Sequence, residues 1–185
     1  QNFKKSDNIY RIVYLGTISI RKGLQYFFEA IEKLSIPKNK YEIHLVGSVD
    51  KEFISILNNF KLENCNFHGH KNHYELSDIL SKFDIAVHPS LEEGMSMVTL
   101  QLLALGIPVI ATTNTGAEDL IKDGFNGYII DIRNSNQIKE KLEFLYNNEK
   151  ALIEMKNNSL ISFNNNFSWD DYGKRYIDNL TKIKK

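Results

Sequence analysis

The stretch "HPSLEEGMSMVTLQ", His88 to Gln101, concentrates the residue types that could do chemistry. Two carboxylates, Glu92 and Glu93, precede Gly94, and Met95 to Val98 then lead into a segment of helical period. The first N–H groups of a helix lack intrahelical partners and carry the positive end of its dipole, so they can meet an anion. Gly94 lets a ligand come close to the backbone. Gln101 stands four residues after Met97, on the face of that helix's first turn, and interrupts an otherwise apolar run. A polar side chain among leucines needs hydrogen-bond partners, and either a ligand or a nearby loop could supply them.

A second candidate group is "GTISIRKG", Gly16 to Gly23. It is neither a dinucleotide fingerprint nor a Walker A loop. Arg21 and Lys22 nevertheless sit where a helix begins, against the sign that the helix dipole favours. A bound phosphate would account for Lys22, and Arg21 is a weaker candidate for the same role; a solvated surface lysine is the plainer alternative. His68, His70 and His73 have a spacing that could ligate a metal. No acidic or cysteine ligand accompanies them and Gly69 suggests that the strand has already ended, so no metal site is expected. His70 and Lys71 are placed instead at the edge of a base pocket. "TTNTGAEDL" could line the same cleft or be an ordinary turn.

Short β-branched runs alternate with helical segments along the chain, which predicts the elements that position these groups. Strands are expected at Ile9–Gly16, Tyr41–Gly47, "CNFHG", "IAVHP", "IPVIAT" and "NGYIID". Helices are expected at Leu24–Leu34, "EFISILNNF", "ELSDILSKF", "MVTLQLLAL", "AEDLIKDG" and from Ser135 onward. A final helix is expected to be capped by Ser168, with a packing stripe of Trp169, Tyr172, Tyr176, Leu180 and Ile183. The pattern predicts an α/β fold: a Rossmann-like, six-stranded parallel sheet with helices on both faces. Ligands of such sheets bind beyond the C-terminal strand ends, at the switch in strand order. That makes Gly16–Gly23, Gly47–Asp50, Gly69–Asn72, Pro89–Ser96 and Thr112–Ala117 the informative loops.

With 185 residues, 42% of them hydrophobic, the chain suits one domain (residues 9–185) after a polar linker remnant (residues 1–8). A chain opening on a linker suggests a piece of something longer. The 23 basic and 23 acidic residues cancel, which argues against a nucleic-acid partner. A lone cysteine, Cys65, points to a reducing compartment, and neither a signal peptide nor a membrane-spanning run is seen. The Asn-x-Ser/Thr triplets at Asn157, Asn166 and Asn179 then read as chance matches, and a cytoplasmic protein is the expectation.

These residues resemble the nucleotide-binding C-terminal domain of the group-1 (family 4) retaining glycosyltransferases, whose two Rossmann-like domains face each other across a cleft in the GT-B arrangement. The resemblance runs from Ile9 to the end of the chain. It rests on G-x-x-x-x-x-K-G at Gly16–Gly23, HPS-x-x-E-G at His88–Gly94, A-x-G-x-P-V-I-A-T at Ala104–Thr112 and G-x-x-D-L-I-x-D-G-x-N-G at Gly116–Gly127. It implies that Glu93 holds hydroxyls of a donor sugar and Lys22 neutralises the diphosphate of a UDP- or GDP-linked donor. The backbone around Gly94, Met95, Ser96, Met97 and Val98 would contact sugar and β-phosphate, and Gln101 the ribose. Four positions depart from the family pattern: Thr17 where many members place an Arg, Gln101 at a usually acidic position, and Met95 and Ser96 for the frequent Phe-Gly. The resemblance also implies a missing N-terminal domain that carries most of the acceptor site and a sugar, lipid-linked or glycan acceptor. No cofactor beyond the donor is implied, and the work would be cell-surface polysaccharide or glycoconjugate synthesis, at the inner membrane face in its peripheral form. An epimerase-like enzyme of the same shape and a non-catalytic nucleotide-binding module are the alternatives.

Overall fold

The computed structural model describes residues 7–80, 82–166 and 177. The capped final helix and its aromatic stripe fall outside the described residues, as do residues 1–6 of the linker. Strands β1 (Tyr10–Leu15), β2 (Tyr41–Val46), β3 (Cys65–Gly69), β4 (Ile85–His88), β5 (Val109–Thr112) and β6 (Gly127–Ile130) form one sheet in the order β3-β2-β1-β4-β5-β6, with every pair parallel. Helices α1 (Leu24–Glu32), α2 (Lys51–Leu57), α3 (His73–Leu80), α4 (Met97–Ala104), α5 (Ser135–Asn147) and α6 (Glu149–Asn166) supply the crossovers and the C-terminal cover.

Both faces of the central strands are buried, while the edge strand β3 stays partly exposed, and the period-two alternation sorts the strand side chains between two cores. Tyr10, Ile12, Tyr14, Ile43, Leu45, Ile85, Val87 and Ile110 join one cluster with Leu24, Phe27 and Phe28 of α1, Phe53 of α2 and Leu142 of α5. Val13, Leu15, Val46, Ala86, Val109 and Ala111 face the other way, onto Leu80 of α3 and Leu102 and Leu103 of α4. α6 sends Leu152 and Met155 into the first cluster, while buried Lys156 donates to the Phe83 carbonyl (3.1 Å) and to Asp84 (3.4 Å).

Two local expectations need correcting. β3 does not end before Gly69: that residue pairs with Val46 across a register shift, at φ 66°, and His68 sits in the irregularity. The "AEDLIKDG" helix shrinks to a 3-10 turn, Ala117–Asp119. Asn126 accepts from the Lys122 amide (2.8 Å) and donates to the Leu120 carbonyl (3.0 Å), so the chain is diverted into β6 before an α-turn can close.

Candidate functional site at the strand-order switch

Sheet order reverses between β1 and β4, so the loops after these strands flank the crevice where such sheets hold ligands. The two loops are welded together. The Leu91 amide donates to the Arg21 carbonyl (2.9 Å), and the Arg21 guanidinium donates to the Glu92 carbonyl (3.1 Å). Gly23, at φ 68°, lies so close to Pro89 that a Cβ there would stand 1.9 Å from its carbonyl oxygen. The loop after β5 joins from the other side, where the Glu93 amide donates to the Asn114 carbonyl at 2.9 Å. The loop after β2 also contributes, with the Ile18 amide donating to the Ser48 carbonyl at 2.8 Å.

The site residues expected from the sequence fall into two groups. Gly16, Thr17, His70, Lys71, Val98 and Gln101 line one cleft of about 260 Å³. Gln101 is half-buried there, and its side chain makes no hydrogen bond among the described residues. Thr17 is held through its carbonyl, which accepts from the Tyr14 hydroxyl at 2.7 Å. Lys71 lies 3.8 Å from Glu75, and His70 is exposed. A larger cleft of about 490 Å³ opens among Tyr10, Asp84, Tyr146 and Lys156, on the side where β1 begins and away from the switch loops.

Lys22 and Glu93 form the second group, an ion pair with both side chains mostly buried, 17% and 12% exposed. Glu93 therefore already balances the charge at the start of α1 that the sequence left unexplained; a phosphate is not needed to account for it. Burial first, and then the positive charge of Arg21, holds the Lys22 ammonium below the ordinary lysine range. An ammonium has three donors, so one spent on Glu93 leaves two for a ligand. Ser90 donates to the same carboxylate oxygen from 3.4 Å.

At the head of α4, Ser96 is buried and caps the helix: its Oγ accepts from the Thr99 amide at 3.2 Å. That bond leaves the Met97 and Val98 amides without intrahelical partners. Gly94 has open space where a Cβ would project, whereas a Cβ on Gly116 would stand 2.5 Å from the Gly94 carbonyl oxygen. Met95 and Met97 are 59% and 55% exposed, an unusual state for such apolar side chains.

The predicted histidine triplet is split. His68 stacks on His44 with its Nε2 2.9 Å from His44 Nδ1, while His70 lines the cleft. The sequence reading missed His88, which the structure buries beneath Glu93 with Nε2 3.3 Å from the carboxylate. Its place in HPS-x-x-E-G was visible, but the inward direction of the last strand residue was not.

A match to the family described as "Glycosyl transferases group 1" spans residues 1–160. The chain belongs to this family. Among its relatives, an uncharacterized glycosyltransferase of Methanocaldococcus jannaschii is 30% identical over 162 residues, covering 85% of this chain and 44% of that protein. The capsular polysaccharide biosynthesis glycosyltransferase CapM of Staphylococcus aureus is 26% identical, over 89% of this chain and 45% of CapM. The chain thus spans about half the length of either relative. Among solved structures, HepE of Anabaena in complex with UDP superposes with a TM-score of 0.81 at 18% identity, over 95% of this chain and 49% of HepE. The C-terminal domain of the group 1 protein LpcC from Francisella tularensis superposes with a TM-score of 0.74 at 25% identity, over 83% of each chain. These superpositions bear out the Rossmann-like α/β fold. Among the described residues, no helix is long and apolar enough to cross a membrane.

Proposed function

We propose that this chain is the donor-binding, C-terminal half of a retaining glycosyltransferase that uses a UDP- or GDP-linked sugar. The observation that carries the reading is the Lys22–Glu93 pair, drawn from the two loops that flank the strand-order switch. Lys22 offers its remaining donors to the diphosphate and stabilises the charge that builds as the sugar departs, aided by the free amides at the start of α4. Glu93 receives hydroxyls of the sugar, Gly94 admits it against the backbone, and Gln101 faces the ribose. His70 and Lys71 edge the base, and Arg21 holds the turn rather than the ligand.

The role needs no cofactor other than the donor. The acceptor, a sugar, lipid-linked or glycan chain, binds mainly to an N-terminal domain of the same protein, on the cytoplasmic side of the membrane. CapM, named for capsular polysaccharide biosynthesis, and HepE, crystallised with UDP, support this reading by kinship and by fold. The test is a transfer assay on the full-length protein with a panel of UDP-, GDP- and ADP-sugars. Transfer with retained anomeric configuration is expected, abolished by Glu93→Ala while sugar-free nucleotide still binds. Epimerised donor without transfer would establish the epimerase alternative, and nucleotide binding with no reaction the non-catalytic one.

A further inference from the structure

Beneath the proposed sugar-binding carboxylate lies a side chain that nothing above employs. His88 ends β4 and is buried, with its ring pointing into the β4–α4 turn. Nε2 lies 3.3 Å from Glu93 Oε2 and 3.2 Å from Ser96 Oγ. Ser96 Oγ in turn accepts from the Thr99 amide (3.2 Å), and the Thr99 hydroxyl lies 3.1 Å away, so Ser96 can donate to that hydroxyl and keep one lone pair for an Nε2–H. One imidazole therefore ties the functional carboxylate to the cap of α4.

The tautomer follows from the partners. Nδ1 is buried with no hydrogen-bond partner. A proton there would leave a buried N–H unpaired and would turn a bare Nε2 lone pair toward an acceptor-only carboxylate. A proton on Nε2 instead donates to Glu93 and leaves only an under-used acceptor at Nδ1, the lesser cost. Burial, reinforced by the nearby Lys22 charge, pushes the His88 pKa down to about 4, so the ring is neutral at physiological pH.

Counting lone pairs shows what this does for Glu93. An ionised carboxylate offers about four acceptor sites. Lys22 and Ser90 occupy Oε1, and His88 occupies one site on Oε2. A single site on Oε2 remains for a ligand hydroxyl. The terminal torsion of a glutamate is broad and nearly two-fold, so without the bond to Oε2 the carboxylate could turn and the free site would lose its direction.

We propose that His88 is a positioning residue: its Nε2–H fixes the Glu93 carboxylate so that the open lone pair of Oε2 faces the hydroxyls of the donor sugar. The inference rests on the donor-site reading of Glu93. It predicts that His88 governs recognition of the sugar and leaves recognition of the nucleotide untouched.

The experiment titrates the full-length protein with UDP, GDP, UDP-glucose and GDP-mannose, then repeats the best-bound nucleotide and its sugar on three variants. His88→Leu is expected to lose roughly tenfold in affinity for the nucleotide sugar, the size of one charge-assisted hydrogen bond, with the sugar-free nucleotide unchanged. His88→Gln, which can present an N–H near the same point, is expected to restore most of the loss. Equal loss of both ligands, no loss of either, or failure of Gln to rescue overturns the inference. Glu93→Ala separates the two levels: if it leaves the sugar contribution intact, the donor reading of Glu93 fails and this inference with it. A wild-type protein that binds none of the four ligands overturns both. Nitrogen-15 NMR of the histidine-labelled wild type needs no variant to fold, and it should find His88 neutral with the proton on Nε2. An imidazolium or a proton on Nδ1 at neutral pH contradicts the proposal.

Discussion

Adding one methyl group at Gly23 should both destabilise the domain and disturb its site. Gly23 holds φ 68°, and an ideal Cβ would stand 1.9 Å from the Pro89 carbonyl oxygen, against roughly 3.3 Å for an ordinary carbon–oxygen contact. The left-handed conformation costs a non-glycine residue about 1–2 kcal/mol. Forcing the two backbones more than 1 Å apart adds about 1–3 kcal/mol, and the stiffer unfolded chain returns about 0.4–1 kcal/mol. The net loss for Gly23→Ala is roughly 3 kcal/mol, which lowers the melting temperature of a domain of this size by about 6–12 °C. Because Gly23 follows Lys22 and Pro89 leads to Glu93, nucleotide affinity should fall as well. Two controls isolate the terms. Gly69→Ala has φ 66° and open space, so it should show the conformational cost alone, about 1–2 kcal/mol. Gly94→Ala has neither positive φ nor a neighbour within 4 Å, so it should melt about 1–4 °C above wild type through the stiffer unfolded chain, yet bind nucleotide sugar at least tenfold more weakly. Thermal melts and titrations of the three variants check this. If Gly23→Ala melts no lower than Gly69→Ala, the loops after β1 and β4 are not packed as described and the reasoning fails.

Lys22→Ala should weaken binding of a nucleoside diphosphate by about tenfold or more, since a hydrogen bond from a charged donor contributes about 1.5–3 kcal/mol, and leave the bare nucleoside unaffected; calorimetry on both ligands reads the difference. Gln101→Leu should leave the unliganded domain at least as stable, because Gln101 has no protein partner to lose among the described residues, while nucleotide affinity falls by about 1–3 kcal/mol; Gln101→Glu should retain binding, and melting curves with titrations check both. His88 gives a pH signature of defined sign. Its folded pKa is depressed from 6.5 to about 4, so between these values the unfolded chain binds the extra proton and stability falls as pH falls. The loss is about 2 kcal/mol by pH 5. Urea midpoints of wild type and His88→Gln should therefore converge on acidification from pH 7.5 to 5 if wild type starts the more stable, because the Gln variant lacks this titration.

The elements were legible because they are local. Alternation such as Ile12-Val13-Tyr14-Leu15 assigns each side chain to a sheet face within a few residues, and the structure sends these four alternately to its two cores. The cleft lined by Gly16, Thr17, His70, Lys71, Val98 and Gln101 was legible for a related reason: parallel topology puts the following loops at one sheet edge. What escaped was contact between segments. The ion pair of Lys22 with Glu93 joins residues 71 positions apart, and nothing local in the sequence announces it. The direction of the His88 ring depends on where β4 stops and Ser96 begins α4, a boundary that periodicity leaves loose by a residue or two. "AEDLIKDG" had the composition of a helix, but the Asn126 side chain captured its backbone groups.

The position of a bound nucleotide tests the donor-site reading most directly. Crystals of the full chain grown with UDP or GDP should show the diphosphate at the C-terminal edge of the sheet, within hydrogen-bond reach of Lys22 Nζ and the Met97 and Val98 amides, with the ribose at Gln101. A nucleotide seated anywhere else, whether in the Tyr10–Lys156 cleft or along the surface, or a diphosphate that leaves Lys22 paired with Glu93 alone, would contradict it.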